Sequence, residues 1–379
     1  MRVLMVSKAC IVGQYQTKLE ALARKPDIEL TVVVPSYWRD ERGIMPLEMQ
    51  HTDGYHMIIA PLYLNGHYHL HFYPTFRSIL ARIQPDIVHL DEEPYNFATF
   101  HALYVLKKYR ARARTLFFTW QNLTRTYPPP FAWMEKYVYA KSDTGLAGSE
   151  KARDVLRAKR FAKPIYVIPQ FGVVPDVWLS APTPRAKTSP PVIGFAGRLV
   201  AEKGTDLLLR ALARVEVKWE LRILGSGPLR KSLAELATAL GIAERVHFDS
   251  ALPSGEMPDY FRSLDLFVLP SVSRSNWKEQ FGRVLIEAMA SGVPVIGSSS
   301  GEIPNVIGDA GVIFPEGNIA ALAEQLRALL HDPARRAELG ARGRTRVLEK
   351  FTQEKIVDDT YAVYRELMQS SLTQAKQED

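Results

Sequence analysis

Short runs of β-branched and aliphatic residues alternate with helical patterns along the whole chain. In the first half the apolar runs fall at 3–6, 30–34, 57–60, 87–90, 116–119 and 166–168, with helical patterns at 14–24, 76–83, 97–109 and 151–160. Such a regular alternation of strands and helices predicts βαβ units that build a parallel sheet. The chain is therefore expected to fold as an α/β protein.

A proline-rich segment interrupts the alternation near the middle of the chain. The stretch SAPTPRAKTSPP, 180–191, holds four prolines and no apolar periodicity, so 176–191 is interpreted as a linker. Strands are expected again at 192–195, 221–224, 246–248, 266–269, 293–297 and 312–314, with a helix over 205–215 among others. Because 379 residues exceed what one core usually supports, two facing Rossmann-like domains are predicted, at 1–175 and 192–352, with a ligand cleft between them.

Composition narrows the class and the location of the protein. Cys10 is the only cysteine, which excludes a disulfide framework and suits a reducing, cytoplasmic compartment. Neither a cleavable signal nor an apolar run of membrane-spanning length is evident. The net charge of +7 arises within 1–180, most densely in KKYRARAR at 107–114. This segment predicts either a solvated helix end, the commoner case, or a peripheral contact with anionic lipid at the inner membrane face; no nucleic-acid partner is expected.

Two cations follow the first strand of the second half. In VIGFAGRLVAEKG, 192–204, Arg198 and Lys203 lie between a strand and the helix that begins near Thr205, at the edge where ligands of parallel sheets bind. The planar fork of donors on Arg and the mobile charge of Lys suit a diphosphate. The alternative is that the two residues are ordinary surface cations.

A second glycine-containing turn occurs in LRILGSGPLRKSL, 221–233. Gly225 and Gly227 form a G-x-G without the third glycine, because Arg230 stands in its place. The turn also follows an interior strand, so it matches the nicotinamide dinucleotide fingerprint poorly. It is interpreted as a backbone turn that lines the same cleft.

Two glutamates bracket the start of the most apolar helix. The helix is expected to begin near Gly282 and to stop before Gly292, which puts Glu279 ahead of it and Glu287 inside it, roughly 8 to 12 Å apart. Paired acid and base carboxylates use about 5 to 9.5 Å. The wider spacing favours an anion at the helix N-terminus with hydroxyls on both sides, as in a nucleotide sugar. The simpler alternatives are a helix-dipole partner for Glu279 and a solvated helix face for Glu287.

The motifs of the second half resemble the retaining glycosyltransferases of family four, which have the GT-B fold. GRLVAEKG, GSGP, LPS, EQFGRVLIEAMASGVPVI and SSGEIPNVIGDAG occur in the order and spacing of that family. The resemblance implies that Arg198, Lys203 and Glu279 are catalytic: the two cations would bind the donor diphosphate and Glu279 the hydroxyls of the transferred sugar. It also implies that Glu287 binds the ribose.

The same resemblance assigns further contacts. The backbone amides of Phe281 and Gly282 would lie beside the sugar and phosphates, Gly225 would line the donor site, and the segment 246–251 would receive the base. In the first half, Gly13 would supply the glycine of the loop after the first strand. The last helix, at about 354–370, would cross back to pack on the first domain.

One position departs from the family pattern. Family members often carry a histidine at the cleft end of a strand. In LFFTWQNL, 116–123, Gln121 stands at that position. Gln121 and Asn122 are therefore candidate acceptor or sugar contacts instead of a histidine. Glu92, in VHLDEEPYN at 88–96, is a third candidate because one of Asp91, Glu92 and Glu93 can steer an acceptor, although solvated loop acids are the commoner case.

Three histidines in NGHYHLHFY, 65–73, would share one side of an extended chain. His67, His69 and His71 would then be able to clasp zinc, but no neighbouring carboxylate or thiolate completes the shell, so a cleft-rim loop is favoured. No metal or other cofactor is expected.

The prediction from sequence is retaining transfer of a glycosyl group from a nucleotide-diphosphate sugar to an acceptor hydroxyl, without a metal, with a glycan or a lipid-linked molecule as a candidate acceptor. Two alternatives stay open. A nucleotide-sugar epimerase also uses Rossmann-like domains and needs no acceptor, and a binding module without catalysis would hold the nucleotide sugar without turnover.

Overall fold

The computed structural model describes residues 1–40, 43–109, 112–178, 190–250 and 252–378, and side chains throughout these ranges except at 254 and 370–378. The chain divides into two compact units. The first contains Met1–Phe171 together with Gln353–Asp379, and the second contains Gly172–Thr352. The predicted α/β class with two Rossmann-like domains is confirmed, since each unit is built on a parallel sheet flanked by helices.

The first unit is a doubly wound sheet. Its strands are β1 (Arg2–Val6), β2 (Glu29–Val34), β3 (Tyr37–Asp40), β4 (Gly43–Pro46), β5 (His56–Ile59), β6 (Ile87–Leu90), β7 (Arg114–Thr119), β8 (Thr144–Ala147) and β9 (Ile165–Val167), and its first helices are α1 (Thr17–Ala23), α2 (Phe76–Ile83), α3 (Phe97–Tyr109), α4 (Phe131–Lys141) and α5 (Glu150–Ala158). The seven-stranded sheet has the order β5-β2-β1-β6-β7-β8-β9 and is parallel throughout, whereas β3 and β4 form a separate antiparallel hairpin that the sequence analysis did not anticipate.

The second unit repeats this architecture. Its strands are β10 (Val192–Ala196), β11 (Glu220–Leu224), β12 (Val246–Asp249), β13 (Leu266–Leu269), β14 (Val295–Ser298) and β15 (Val312–Phe314), and its helices are α6 (Pro175–Trp178), α7 (Thr205–Leu212), α8 (Arg230–Ala239), α9 (Met257–Arg262), α10 (Arg283–Ala290), α11 (Ile303–Ile307), α12 (Ile319–His331) and α13 (Pro333–Lys350). The parallel sheet has the order β12-β11-β10-β13-β14-β15. Its central strands are fully buried, as expected for strands covered by helices on both faces.

Two segments refine the predicted boundaries. The final helix, α14 (Gln353–Glu378), packs in the first unit, where Tyr364 is fully buried in the core beside β1 and β6. The predicted linker is wrong for 176–178: these residues belong to α6, because the buried Trp178 packs against Phe261 of the second unit. Most of the proline-rich stretch 180–191, namely 180–189, lies outside the described residues.

Across the described ranges, none of the helices combines the length and the apolar character that a membrane-spanning segment needs.

Candidate functional site

The order of the second sheet creates a crevice at its carboxyl edge. The chain winds from β10 to β11 on one side and continues from β13 to β14 on the other, although β10 and β13 are hydrogen-bonded neighbours. The loops that leave these two strands therefore diverge, which is the topological switch point where open α/β sheets bind ligands. Arg198 and Lys203 lie in the loop after β10, and Glu279 lies in the loop after β13.

Glu279 is held at this switch point by two side chains. Its Oε2 atom lies 2.7 Å from the Nζ atom of Lys203 and accepts a hydrogen bond of 2.8 Å from the hydroxyl of Ser271. Glu279 is only 7% exposed and Ser271 is fully buried. A buried carboxylate is stable when it is paired and hydrogen-bonded in this way. The structure thus brings together Lys203 and Glu279, which are distant in sequence.

The backbone fixes the Glu279 loop as well. The amide of Glu302 donates to the Glu279 carbonyl at 3.1 Å, and Gly301 has φ +55°, so a Cβ atom there would lie 2.0 Å from the same carbonyl oxygen. Only glycine allows this approach. The segment SSGEIPNVIGDAG therefore supports Glu279 through its backbone.

The cations of the β10 loop are accessible. Lys203 is partly exposed, and its Nζ atom lies 5.1 Å from the centre of the Trp277 ring. Arg198 is exposed and directly follows Gly197 at the end of β10. Both positive groups can therefore meet a ligand that enters the switch point, without first being uncovered.

Gly225 marks a close approach between two strand ends. Its φ is +144°, and a Cβ atom would lie 1.9 Å from the carbonyl oxygen of Gly197, which precedes Arg198. The Leu199 amide bonds the Ser226 carbonyl at 2.8 Å, which ties the two loops together. Gly225 therefore shapes the crevice through its backbone.

The helix α10 begins beside Glu279, as predicted. Gly282 caps it in the left-handed conformation with φ +81°, and Phe281 is buried against Phe351. Glu287 is not on a solvated face, because it is only 6% exposed and its Oε1 atom lies 2.8 Å from the Nε atom of Arg283. Burial raises the pKa of Glu287, and the ion pair with Arg283 acts in the opposite direction. A buried, paired glutamate one helical turn from the site is consistent with a role in orienting a hydroxyl.

In the first unit, Gly13 lies in the loop after β1. Its amide donates to the Oε2 atom of Glu48 at 2.7 Å, and a Cβ atom would lie 2.4 Å from the side chain of Gln50. Gln50 is exposed and its side chain can move aside, so the structure does not require glycine at this position, and the Gly13 amide is engaged with a carboxylate.

The Asp-Glu-Glu segment after β6 does not consist of solvated loop acids. Asp91 accepts from Ser7 at 2.6 Å and from Gln170 at 2.9 Å, and Glu93 accepts from the Thr119 hydroxyl and the Trp120 amide. Burial raises the pKa of Glu93 to about 7 against the effect of these two donors. These carboxylates hold neighbouring strand ends in place.

Glu92 is the centre of a buried network. Its Oε2 atom lies 3.9 Å from the Lys8 ammonium, its Oε1 atom lies 3.7 Å from Nε2 of His71, and Lys8 in turn lies over the rings of Trp38 and Tyr68 at 4.3 and 4.1 Å. Burial alone would raise the pKa of Glu92, but Lys8 and His71 outweigh it and lower the pKa from 4.5 to about 2. No sequence signal links these residues, because Lys8 and Glu92 come together only when β1 and β6 pair, and His71, Trp38 and Tyr68 come from other parts of the unit.

Glu92→Gln is expected to lower the free energy of unfolding by about 2 kcal/mol at neutral pH, since it removes a charged acceptor from a buried network. The depressed folded-state pKa means that this stabilisation is complete above pH 4.5 and is lost as the pH falls toward about 2. Urea unfolding at stepwise lower pH should therefore show the wild type converging on the variant. Glu29→Gln, at an exposed glutamate of the same unit, is the control, and an equal effect of the two changes would contradict the assignment.

Gln121 and Asn122 lie at the end of β7. The side-chain Nε2 of Gln121 donates to the Tyr127 hydroxyl at 2.6 Å, and the backbone amide of Gln121 donates to the Thr119 hydroxyl at 3.0 Å. The Tyr127 ring stacks on Tyr95 with centroids 4.5 Å apart. Gln121 is partly exposed and Asn122 is buried, so the first of the two is the more accessible to a ligand.

The predicted extended arrangement of three histidines is wrong. The chain turns at this point, because the His67 carbonyl accepts from the amides of both Leu70 and His71. His71 is fully buried, while His69 bonds Asn96 at 3.2 Å. Among the described residues, no three His, Cys, Asp or Glu side chains are grouped so that they could hold a metal ion.

Ser271, which donates a hydrogen bond to Glu279, is the member of this candidate site that was not predicted from the sequence. It is the last residue of the LPS motif, and it directly follows the buried strand β13 and Pro270. A small hydroxyl residue at a strand end next to a switch point is a signal that could have indicated a partner for Glu279.

Two family models match the chain, one in each unit. The model described as Glycosyltransferase Family 4 matches residues 16–171, and the model described as Glycosyl transferases group 1 matches residues 178–346. Together they take in most of the chain.

Curated relatives match parts of the chain. The D-inositol 3-phosphate glycosyltransferase 1 of Catenulispora acidiphila is 34% identical over 63% of this chain and 60% of the relative. The GDP-mannose-dependent alpha-(1-6)-phosphatidylinositol monomannoside mannosyltransferase of Mycolicibacterium smegmatis is 34% identical over 42% of this chain and 44% of the relative. The chain thus spans about half the length of the curated relatives it matches.

Solved structures match over almost the full length. Sucrose-phosphate synthase from Thermosynechococcus elongatus superposes with a TM-score of 0.74 at 19% identity, covering 98% of this chain and 100% of that chain. HepE of Anabaena in complex with UDP gives a TM-score of 0.72 at 18% identity, covering 97% and 100%. At these identities the likeness shows the fold. With a matching family model in each unit, the chain belongs to the glycosyltransferases of family 4 and group 1, which have the GT-B fold.

Proposed function

We propose that the protein transfers a glycosyl group from a nucleotide-diphosphate sugar to an acceptor hydroxyl, with retention at the anomeric carbon and without a metal ion. The observation that carries this proposal is the contact of Lys203 and Ser271 with the buried Glu279 at the switch point of the second sheet. The names of similar proteins support the donor class, since HepE was solved with UDP and the mycobacterial relative uses GDP-mannose.

In this proposal the second unit binds the donor. Lys203 and Arg198 neutralise the diphosphate, and the positive end of the α10 dipole favours the same charge. Glu279 accepts hydrogen bonds from the hydroxyls of the transferred sugar. Glu287, which is already buried and paired with Arg283, accepts from the ribose.

The chemical step breaks the bond between the anomeric carbon and the phosphate oxygen and forms a bond to the acceptor oxygen on the same face. The acceptor proton passes to the departing phosphate. Charge grows on that phosphate in the transition state, so the preorganised cations stabilise the transition state more than the ground state. Because Lys203 and Ser271 engage the Glu279 carboxylate, we assign it to hydroxyl binding rather than to covalent attack on the sugar.

The proposed acceptor is a molecule with a free hydroxyl. Relatives are named for inositol phosphate and phosphatidylinositol mannoside acceptors, which supports a hydroxyl on a polyol, a glycan or a lipid-linked molecule. In the first unit, Gln121 is the candidate contact that is both partly exposed and held in place by Tyr127. A peripheral contact with anionic membranes would bring the enzyme to a lipid-linked acceptor.

Incubation of the purified protein with labelled nucleotide sugars and an acceptor panel tests this function. We expect release of the nucleoside diphosphate that depends on the acceptor, a product with the anomeric configuration of the donor by NMR, and a rate that changes less than about twofold with a metal chelator, because the cations of the chain replace the metal. Conversion of the donor to an epimer without acceptor would instead support an epimerase. Tight binding without turnover would support a binding module.

A further inference from the structure

The outer face of α3 and α4 exposes aromatic rings. Trp133 on α4 is 57% exposed and Tyr104 on α3 is 46% exposed. Phe100 joins them, with ring centroids 5.0 Å from Trp133 and 6.1 Å from Tyr104. A large exposed aromatic patch on a folded protein marks a surface that meets a partner.

Lysines accompany these rings on the same helices. On α4, Lys136 and Lys141 follow Trp133 at spacings of three and eight residues, which places them on the same side of the helix. On α3, Lys107 and Lys108 follow Tyr104 at spacings of three and four residues, which also places them on the side of Tyr104. We call Tyr104, Lys107, Lys108, Trp133, Lys136 and Lys141 the α3–α4 face.

A cationic pocket adjoins this face. It has a volume of about 360 Å³ and is lined by Lys136, Tyr139, Ala140 and residues 159–163. Four of these eight residues are basic, namely Lys136, Lys159, Arg160 and Lys163, and none of the eight described residues is acidic. Tyr139 and the buried Phe161 contribute apolar surface.

Two of the four cations are already engaged with the protein. Lys159 lies 2.6 Å from the Glu135 carboxylate, and the ammonium of Lys163 donates to the carbonyls of Ala140 and Ser142. Lys136 and Arg160 are exposed, which makes their charges available to a ligand.

Arg160 lies at the rim of the pocket in an uncommon backbone conformation. Arg160 has φ +64°, in the left-handed region that favours glycine, and it follows the end of α5. A side chain in this conformation costs on the order of 1 kcal/mol. Arginine is nevertheless present there, at the rim of the pocket.

The surrounding lysines also act on Lys163 inside the pocket. Burial lowers the pKa of Lys163; Asp143 acts against this, and Lys107 and Lys141 lower the pKa further. The lysines of the α3–α4 face and those of the pocket thus lie close enough to repel one another, which favours an anionic partner.

We propose that the α3–α4 face and the adjoining pocket dock on the surface of an anionic phospholipid bilayer, with Trp133 at the headgroup level and a lipid phosphate in the pocket. Tryptophan and tyrosine prefer the membrane interface because one end of each ring is polar, and lysine stems extend along apolar surface to reach headgroups. This combination distinguishes a lipid surface from a small phosphate ester, which would require no exposed rings beside the pocket.

The proposal is tested by sedimentation of the whole protein with vesicles of phosphatidylcholine alone and with vesicles in which a third of the lipid is phosphatidylglycerol. Binding is expected only with the anionic vesicles and should weaken with added salt. Lys136→Gln and Arg160→Gln should each weaken binding about fivefold, and Trp133→Ala about tenfold. Circular dichroism of each variant verifies that the fold is kept.

Matched controls lie in the second unit, at Lys218→Gln and Leu348→Ala, which alter an exposed charge and an exposed apolar side chain elsewhere. Equal losses in the controls, equal binding to neutral vesicles, or full displacement by inorganic phosphate at millimolar concentration would each overturn the proposal. The readout needs no donor or acceptor, so a failure here leaves the proposed transfer reaction standing, and a failure of transfer leaves this result intact.

Discussion

Lys203→Ala is expected to lower the rate of glycosyl transfer at least about a hundredfold while the protein stays folded, because removing one preorganised donor to a developing charge costs on the order of 3 kcal/mol. The ammonium lies at the switch point within 2.7 Å of Glu279, so it is already in place before the donor binds. Steady-state kinetics with the donor found by the panel would show the loss mainly in kcat. Binding of the nucleoside diphosphate should weaken far more than binding of the nucleoside alone.

Three further variants separate the causes. Lys218→Ala removes an exposed lysine of the same unit and should leave the rate unchanged, whereas Arg198→Ala should resemble Lys203→Ala. Loss of Lys203 also leaves the buried Glu279 without its ion pair, so Lys203→Ala is repeated in a Glu279→Gln background. If Lys203 acts on the phosphate, Lys203→Ala should reduce the preference for binding the nucleoside diphosphate over the nucleoside, both in the wild type and in the Glu279→Gln background. Near-normal turnover in Lys203→Ala and Arg198→Ala would defeat the diphosphate assignment.

The contact between Lys203 and Glu279 was within reach of sequence reasoning because it follows from the parallel sheet. Both residues were predicted to follow strand ends, and the carboxyl ends of parallel strands share one edge. What the sequence did not specify is that β10 and β13 are neighbours, which depends on the order of the strands. The hydrogen bond from Ser271 depends on that order too, since it joins the end of β13 to the same carboxylate.

Other features resisted prediction for identifiable physical reasons. The environment of Glu287 depends on the elements that pack around α10. The sequence alone was therefore compatible with a glutamate on a solvated helix face, whereas the structure shows that Glu287 is buried. The histidines of 65–73 alternate as a strand would, but the turn at His67 overrides that periodicity. The β3–β4 hairpin follows directly on β2, where the alternation of strands and helices gave no separate signal.

Gly225→Ala is expected to lower the free energy of unfolding by about 4 kcal/mol, which combines strain at a backbone angle reserved for glycine with the collision of a new methyl group. The methyl carbon would lie 1.9 Å from the Gly197 carbonyl, and the φ of +144° is one that alanine rarely adopts. Urea unfolding of the two proteins measures the difference. Any population that stays folded should also bind the donor weakly, because the loop that carries Arg198 must shift.

Gly241→Ala separates strain from collision. Gly241 also has a positive φ, +69°, but the space around it is open, so alanine there should cost only about 1 kcal/mol. If both variants lost the same small amount, the approach of Gly225 to Gly197 would not constrain the turn. A large loss confined to Gly225→Ala would instead mean that the GSGP motif acts through its backbone, by letting the ends of β10 and β11 close on one another at the edge where the donor is proposed to bind.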